Sequence, residues 1–351
     1  MRASHRVAIL GATGYGGAEL LRLLLPHPSV EVTNLVARDN IGARADAVIP
    51  SLAGLTDLQI EDIPPDQVAP NVDLVFLALP HRVSALIGAQ YVDLGVKVID
   101  LSGDWRLLDA DAYAEFYGAP HPLPDRMGSF VYGMPEMNRD AIRGADRVAS
   151  PGCFATATTL ALLPYARAGL LTGRVRVSAV TGSSGSGVRP SAGTHHPYRA
   201  VNLKPYKPLT HQHTPEIEQS LRLSGATDVT IDFVPISAPL PRGILTTCFF
   251  DVPAELPSAA IHAALRDCYA HEPLVRVVEG RLPEVASVKG SMFCDVGVSV
   301  GEVVSQGKRT VVAHSALDNL IKGGAGQAVQ SMNLVLGLPE TTGIGQPALW
   351  P

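Results

Sequence analysis

Val7-Ala8-Ile9-Leu10 runs straight into Gly11-Ala12-Thr13-Gly14-Tyr15-Gly16-Gly17-Ala18-Glu19-Leu20-Leu21. A short apolar strand, glycines spaced three apart and then a helical pattern leave few folds open. Gly11 permits a tight turn, Gly14 lets backbone approach a pyrophosphate, and Gly17 lets the helix pack on the strand. The context, after a strand and opening a helix, favours a nucleotide site over a plain strand–helix turn.

The next strand, Glu31 to Ala37, ends in Arg38. A cation at this point suits the 2′-phosphate of NADP, where an acidic residue would take the ribose hydroxyl of NAD. Asp39 follows at once, and Arg38 also reads as a solvated strand end. Val72 to Pro80 and Val96 to Leu101 are further buried strands, separated by a helical segment from Val83 to Tyr91. Strands alternating with helices predict a doubly wound parallel sheet of the Rossmann type. His81 and Ser102 then fall at strand C-terminal ends, where such sheets bind ligands. Arg106 suits a phosphate or carboxylate, or else an ion pair with Asp104 or Asp109. Tyr113 to Gly133 reads as a loop-rich stretch wrapping the sheet edge.

Ser150-Pro151-Gly152-Cys153 opens an Ala/Thr/Leu run that continues to Pro164. This predicts a buried helix with Cys153 in its first turn. Backbone N–H groups at a helix start favour thiolate over thiol and can hold a developing oxyanion. Most free cysteines are small buried hydrophobes, so the placement is what makes Cys153 a candidate nucleophile.

Beyond it, Arg174 to Val180 alternates as a half-buried strand. Thr181 to Gly187 is a hydroxyl-rich loop, either an anion cup or a linker. In His211-Gln212-His213-Thr214-Pro215-Glu216-Ile217-Glu218-Gln219, Thr214 reads as an N-cap and Pro215 as the first helical residue. His213 then sits just outside a helix start. The nearby histidines match no zinc spacing, so no metal is expected. Thr227 to Val234 and Ile244 to Val252 read as antiparallel strands, and with a helix from Pro257 to Tyr269 they predict an α+β domain. A helical C-terminal part begins at Asp318 and runs through Leu336, returning to the first domain. The expected division is 1–150 with 315–351 for the nucleotide, and 151–314 for catalysis.

With 351 residues, 46% hydrophobic and 17% charged, the composition is that of a globular enzyme. A net charge of −5 lacks the basic footprint of a nucleic-acid binder. No apolar run reaches membrane-spanning length, and four cysteines without paired spacing point to a cytosolic chain.

Together these segments resemble the N-acetyl-γ-glutamyl-phosphate reductase family, within the aspartate-semialdehyde-dehydrogenase-like superfamily, over the full length. The carrying residues are Gly11 to Gly17, Ala78-Leu79-Pro80-His81, Asp100-Leu101-Ser102-Gly103-Asp104-Trp105-Arg106, Ser150 to Cys153, His211 to Gln219, Asp318-Asn319-Leu320 and Lys322-Gly323. The resemblance implies a cytoplasmic NADP(H)-dependent acyl-phosphate reductase of amino-acid biosynthesis that works as a homodimer or homotetramer. It implies Cys153 as nucleophile and His213 as acid/base. Arg106, Ser184 and Arg242 fall on the substrate side. Gly11, Thr13, Gly14, Tyr15, Gly16, Arg38, His81, Ser102 and Asn319 fall where the family holds NADP. Inorganic phosphate is the co-product.

Two departures stand out. His195-His196-Pro197 and Tyr206-Lys207-Pro208 look more like the branch that reduces carrier-protein-bound aminoadipyl phosphate, whose partner is a small acidic carrier protein. Gly103 and Trp105 replace the more usual Ala and Phe, with little chemical consequence expected.

Overall fold

A computed structural model of the chain describes residues 5–350. It divides into two compact units: one runs through Gly152 and resumes at Gly324–Gln346, and the other is Cys153–Gly323 with the residues from Pro347.

The first unit holds seven strands: β1 (His5–Leu10), β2 (Val30–Val36), β3 (Ile60–Glu61), β4 (Leu74–Leu77), β5 (Lys97–Asp100), β6 (Val131–Tyr132) and β7 (Arg147–Ala149). Their order is β3-β2-β1-β4-β5-β7-β6, and every pairing is parallel. Leu74-Val75-Phe76-Leu77 is wholly buried, as a strand covered on both faces must be. The order reverses between β1 and β4, and a doubly wound sheet opens its ligand crevice at that point. Helices α1 (Tyr15–Leu24), α2 (Val83–Asp93), α3 (Ala110–Tyr117) and α4 (Pro135–Arg143) accompany the sheet. The C-terminal helix Gly326–Val335 packs on α1, α4 and β5.

Helix α3 lies in the stretch expected to be loop. Its start is capped by the Asp109 carboxylate, which accepts the Asp111 and Ala112 N–H groups, and Gly118 in left-handed backbone ends it. The prolines of the segment begin only after that cap.

The second unit is a mixed sheet of β8 (Gly173–Thr181), β9 (Lys204–Pro205), β10 (Val229–Ser237), β11 (Ile244–Pro253), β12 (Val275–Val277), β13 (Cys294–Ser305) and β14 (Lys308–Leu317). The order is β12-β13-β14-β11-β8-β10-β9. β10 and β11 run in opposite directions but are not partners: β8 lies between them, parallel to β10 and antiparallel to β11. The long-range strand takes the central place that a simple hairpin reading gives to neither.

Three helices of ten or more residues accompany this sheet: α5 (Cys153–Arg167), α6 (Thr214–Leu223) and α7 (Ser258–Tyr269), with a single turn at His196–Arg199. Helix α5 packs on β11, β14 and α6. It runs through Pro164 instead of stopping there. Proline has no N–H to give the Leu160 carbonyl, and the Tyr269 hydroxyl of α7 donates to that carbonyl at 2.5 Å. At the far end of the unit, Ile321–Ala325 forms a wide π turn, and Gly324 breaks it with non-helical backbone. The Asp318 to Leu336 segment is therefore two pieces that belong to different units.

Candidate active site

In the first unit the glycine loop is set by close approach. Gly11 has φ +82°, and a Cβ there would meet the Ala78 carbonyl oxygen at 2.3 Å. A Cβ at Gly17 would lie 2.3 Å from the Gly11 oxygen, so helix α1 and the turn fit only without side chains. Gly14 differs: a Cβ would meet nothing nearer than the Gly11 oxygen at 3.5 Å. Its outer side is open at the start of α1, the place where a pyrophosphate uses unpaired N–H groups. The Thr13 hydroxyl donates to Asp39 at 2.6 Å. That holds Asp39 to the loop and leaves Arg38 exposed, with no hydrogen bond or ion pair to a described residue. Tyr15 and Gly16 form the first turn of α1, Tyr15 exposed. Open space at the helix start and an exposed cation together fit a dinucleotide carrying a 2′-phosphate.

The ends of β4 and β5 carry a buried polar network. Asp100 accepts from the Ser84 hydroxyl at 2.6 Å, the Ser102 hydroxyl at 2.6 Å and the Ser102 N–H at 2.9 Å. Burial nevertheless pushes its carboxyl up to about 6, against those hydrogen bonds. Asp104 accepts from the N–H groups of Arg82 at 2.7 Å and Ala85 at 2.9 Å, and from the Tyr113 hydroxyl at 2.8 Å. It thereby caps α2 from another segment of chain. His81 Nδ1 accepts the Gly103 N–H at 2.9 Å, which puts the proton of a neutral ring on Nε2.

Gly103 has a larger consequence than its sequence suggested. A Cβ there would lie 2.0 Å from the Tyr117 hydroxyl oxygen and 2.5 Å from its ring. Tyr117 stacks on Tyr113 at 4.5 Å and meets His81 edge-on at 5.0 Å. Trp105 is buried and stacks on Phe130 at 4.6 Å.

Arg106 is buried, and its guanidinium donates to the carbonyls of Ser150 at 2.8 Å and Leu101 at 2.7 Å. It joins the ends of β5 and β7. Asp104 and Asp109 are engaged elsewhere, so the surface ion-pair alternative falls away.

In the second unit, α5 begins at Cys153 itself, which is half-buried. The first-turn N–H groups have no acceptor within the helix, and the positive end of its dipole lies at the sulfur. A Cβ at Gly323 would come within 2.8 Å of the Cys153 Cβ, so glycine is required beside the thiol. Burial pushes the Cys248 and Cys268 thiols up, away from thiolate.

His213 is the N-cap of α6, and its carbonyl accepts the Ile217 N–H at 3.0 Å. The helix thus starts at Thr214, one residue before the Pro215 start expected from sequence, with His213 in the cap. His211, not singled out by its sequence, is buried against it. The two rings meet edge-on at 4.7 Å, and His211 Nδ1 accepts the His213 N–H at 3.2 Å. Burial first, then His213 and Lys207, push the His211 imidazole down to about 2, with Glu216 opposing. It is a neutral ring. The Phe154 ring, next to the thiol, touches both histidines edge-on at 5.5 and 6.2 Å. Phe154 therefore ties the start of α5 to the start of α6.

The remaining substrate-side candidates cluster in this unit. Asn319 donates to Ser184 at 3.0 Å and accepts the Gly243 N–H at 2.7 Å. Arg242 faces the fully buried Asp318 carboxylate at 3.7 Å.

The family model described as "Semialdehyde dehydrogenase, NAD binding domain" matches residues 6–145, and "Semialdehyde dehydrogenase, dimerisation domain" matches residues 153–319. An N-acetyl-gamma-glutamyl-phosphate reductase from Methanosphaera stadtmanae is 40% identical over 98% of each chain. A Thermomicrobium roseum protein named as a LysW-L-2-aminoadipate 6-phosphate reductase is 42% identical over 98% of this chain and 99% of its own. Aspartate semialdehyde dehydrogenase II of Vibrio cholerae shares the fold, with a TM-score of 0.70 at 17% identity, over 95% of this chain and 98% of the other.

Proposed function

Because the chain belongs to the N-acetyl-γ-glutamyl-phosphate reductase family, we propose that it reduces N-acetyl-γ-glutamyl phosphate to N-acetylglutamate 5-semialdehyde, with release of inorganic phosphate. The carrying observation is a half-buried cysteine at the first position of a helix, with a histidine-capped helix packed beside it.

The Cys153 sulfur attacks the acyl-phosphate carbonyl, and the C–O bond to phosphate breaks, leaving a thioester on the enzyme. Helix-start N–H groups take the oxyanion charge as it develops. His213 accepts the thiol proton before attack and returns it when the sulfur leaves as the aldehyde forms. Arg106 offers a guanidinium to the phosphate, and Ser184 and Arg242 hold the rest of the substrate. The Gly11–Gly16 loop, Arg38, His81, Ser102 and Asn319 would hold NADP(H), which would supply the hydride for reduction of the thioester. The assembly is a homodimer or homotetramer, working in the cytoplasm.

A second reading has a specific basis. The His195-His196-Pro197 and Tyr206-Lys207-Pro208 segments, with the Thermomicrobium relative, support a substrate carried on a small acidic protein. The reverse reaction separates the two. Supplied with NADP, phosphate and N-acetylglutamate 5-semialdehyde, the enzyme is expected to form NADPH robustly. No turnover of that aldehyde or of free aminoadipate semialdehyde, by protein that still binds NADPH, would assign the carrier-bound substrate instead.

A further inference from the structure

Two fully buried carboxylates of the second unit are matched by arginines. Asp295 is fully buried and receives Arg276 and Arg281, each at 2.6 Å. Asp318 is fully buried and faces Arg242. Arg199 is 7% exposed, and its contacts are long ones to backbone: the Asn202 carbonyl at 3.4 Å and the Thr181 carbonyl at 3.5 Å. No carboxylate of a described residue pairs with it. A guanidinium has five donors, and burying one without a counter-charge is costly.

Its position gives that cost a use. Thr181 ends β8, and the Ser184 loop that contacts Asn319 begins just after it. Tyr206 is half-buried near both: Cys153 and Arg199 each act on the ionisation of its phenol, which burial pushes up. Burial also pushes the Arg199 guanidinium down, with Tyr206 opposing. Arg242 faces the buried Asp318 carboxylate, whereas Arg199 faces no carboxylate among the described residues.

We propose that Arg199 is the receptor for the substrate's free carboxylate, the one remote from the reacting acyl group. This rests on the reading of the substrate as an acidic acyl phosphate. Both an acetylated glutamyl and a carrier-bound aminoadipyl substrate keep such a carboxylate, and a bidentate pair with guanidinium fixes its distance from the thiol.

The test compares two aldehydes in the reverse direction: N-acetylglutamate 5-semialdehyde and 4-acetamidobutanal, which lacks only the carboxylate. The wild-type preference, as the ratio of kcat/KM values, is expected to fall on the order of tenfold to a hundredfold in Arg199→Gln. Most of that fall is expected in KM, with partial recovery in Arg199→Lys. The unliganded Arg199→Gln protein is expected to keep or raise its Tm, since an uncompensated charge has been removed. An unchanged ratio, or a lowered Tm with equal loss on both aldehydes, would overturn the proposal. If wild type turns over neither aldehyde but binds NADPH, the acetylated-substrate reading fails, and Arg199 is judged by protection of Cys153 from iodoacetamide. N-acetylglutamate should then protect better than N-acetyl-4-aminobutyrate in wild type and equally in Arg199→Gln. Equal protection in wild type ends the proposal.

Discussion

Asp104 in the first unit is fully buried and accepts hydrogen bonds from Arg82, Ala85 and Tyr113, whereas Arg199 in the second unit is 7% exposed and reaches two carbonyls at 3.4 and 3.5 Å. The same contrast separates Asp100, with three donors, from His211, a ring held neutral by burial. Polar groups at the strand ends of the first unit are spent on holding loops in place. In the second unit Asp295 and Asp318 are matched in the same way, and Arg199 is the contrast, with two long contacts to carbonyls. Saturated networks make a rigid frame, and an unsaturated one marks where chemistry or binding completes the set.

The sharpest break in this contrast is Cys153→Ser. It is expected to lower acyl transfer roughly ten-thousandfold or more while NADPH binding, read by fluorescence titration, stays intact. A variant turning over at near wild-type rate would end the thioester scheme.

Next in size is Asp104→Ala, which strands two buried N–H groups and the Tyr113 hydroxyl. Urea unfolding should show a loss of about 2–4 kcal/mol. A loss below about 1 kcal/mol would mean the network is not a frame.

Arg38→Ala should weaken NADPH about tenfold to a hundredfold with little effect on NADH. Equal losses for both cofactors would remove Arg38 from the 2′-phosphate.

The smallest effect is in pH dependence. His211, with its pKa pushed to about 2 from 6.5, contributes stability that is fully present above pH 6.5 and is lost as pH falls. Asp100, raised from 3.8 to about 6, does the reverse: its contribution is present below pH 3.8 and gone above pH 6. His211→Phe should therefore remove an acid slope of up to about 1.4 kcal/mol per pH unit between pH 4 and 6.5. Identical pH–stability curves for variant and wild type would mean that His211 protonates freely in the fold.

Local signals made much of this legible. The strand–glycine–helix start, the helix opening at Cys153 and the His213 helix each rest on residues within a turn or two of each other, and sequence order preserves such relations. What escaped was set by distant partners. Pro164 reads as a helix stop unless Tyr269, more than a hundred residues on, is known to serve the Leu160 carbonyl. The β8 strand separates β10 from β11 through pairings no local pattern encodes. Gly103 looked neutral because Tyr117, which needs its missing side chain, approaches from a helix read as loop. His211 escaped because its burial is set by Phe154 and Phe233, which lie far from it in sequence. Arg199 carried none, since what distinguishes it is the absence of a neighbouring carboxylate in space.

Gly323 against Cys153 has a bearing on how such a chain can be assembled. These are the last and first residues of the catalytic segment, and they lie within van der Waals contact. The segment therefore behaves as an insertion whose two ends meet, spliced into the nucleotide-binding chain at what amounts to one point. Cys153 stands at the splice.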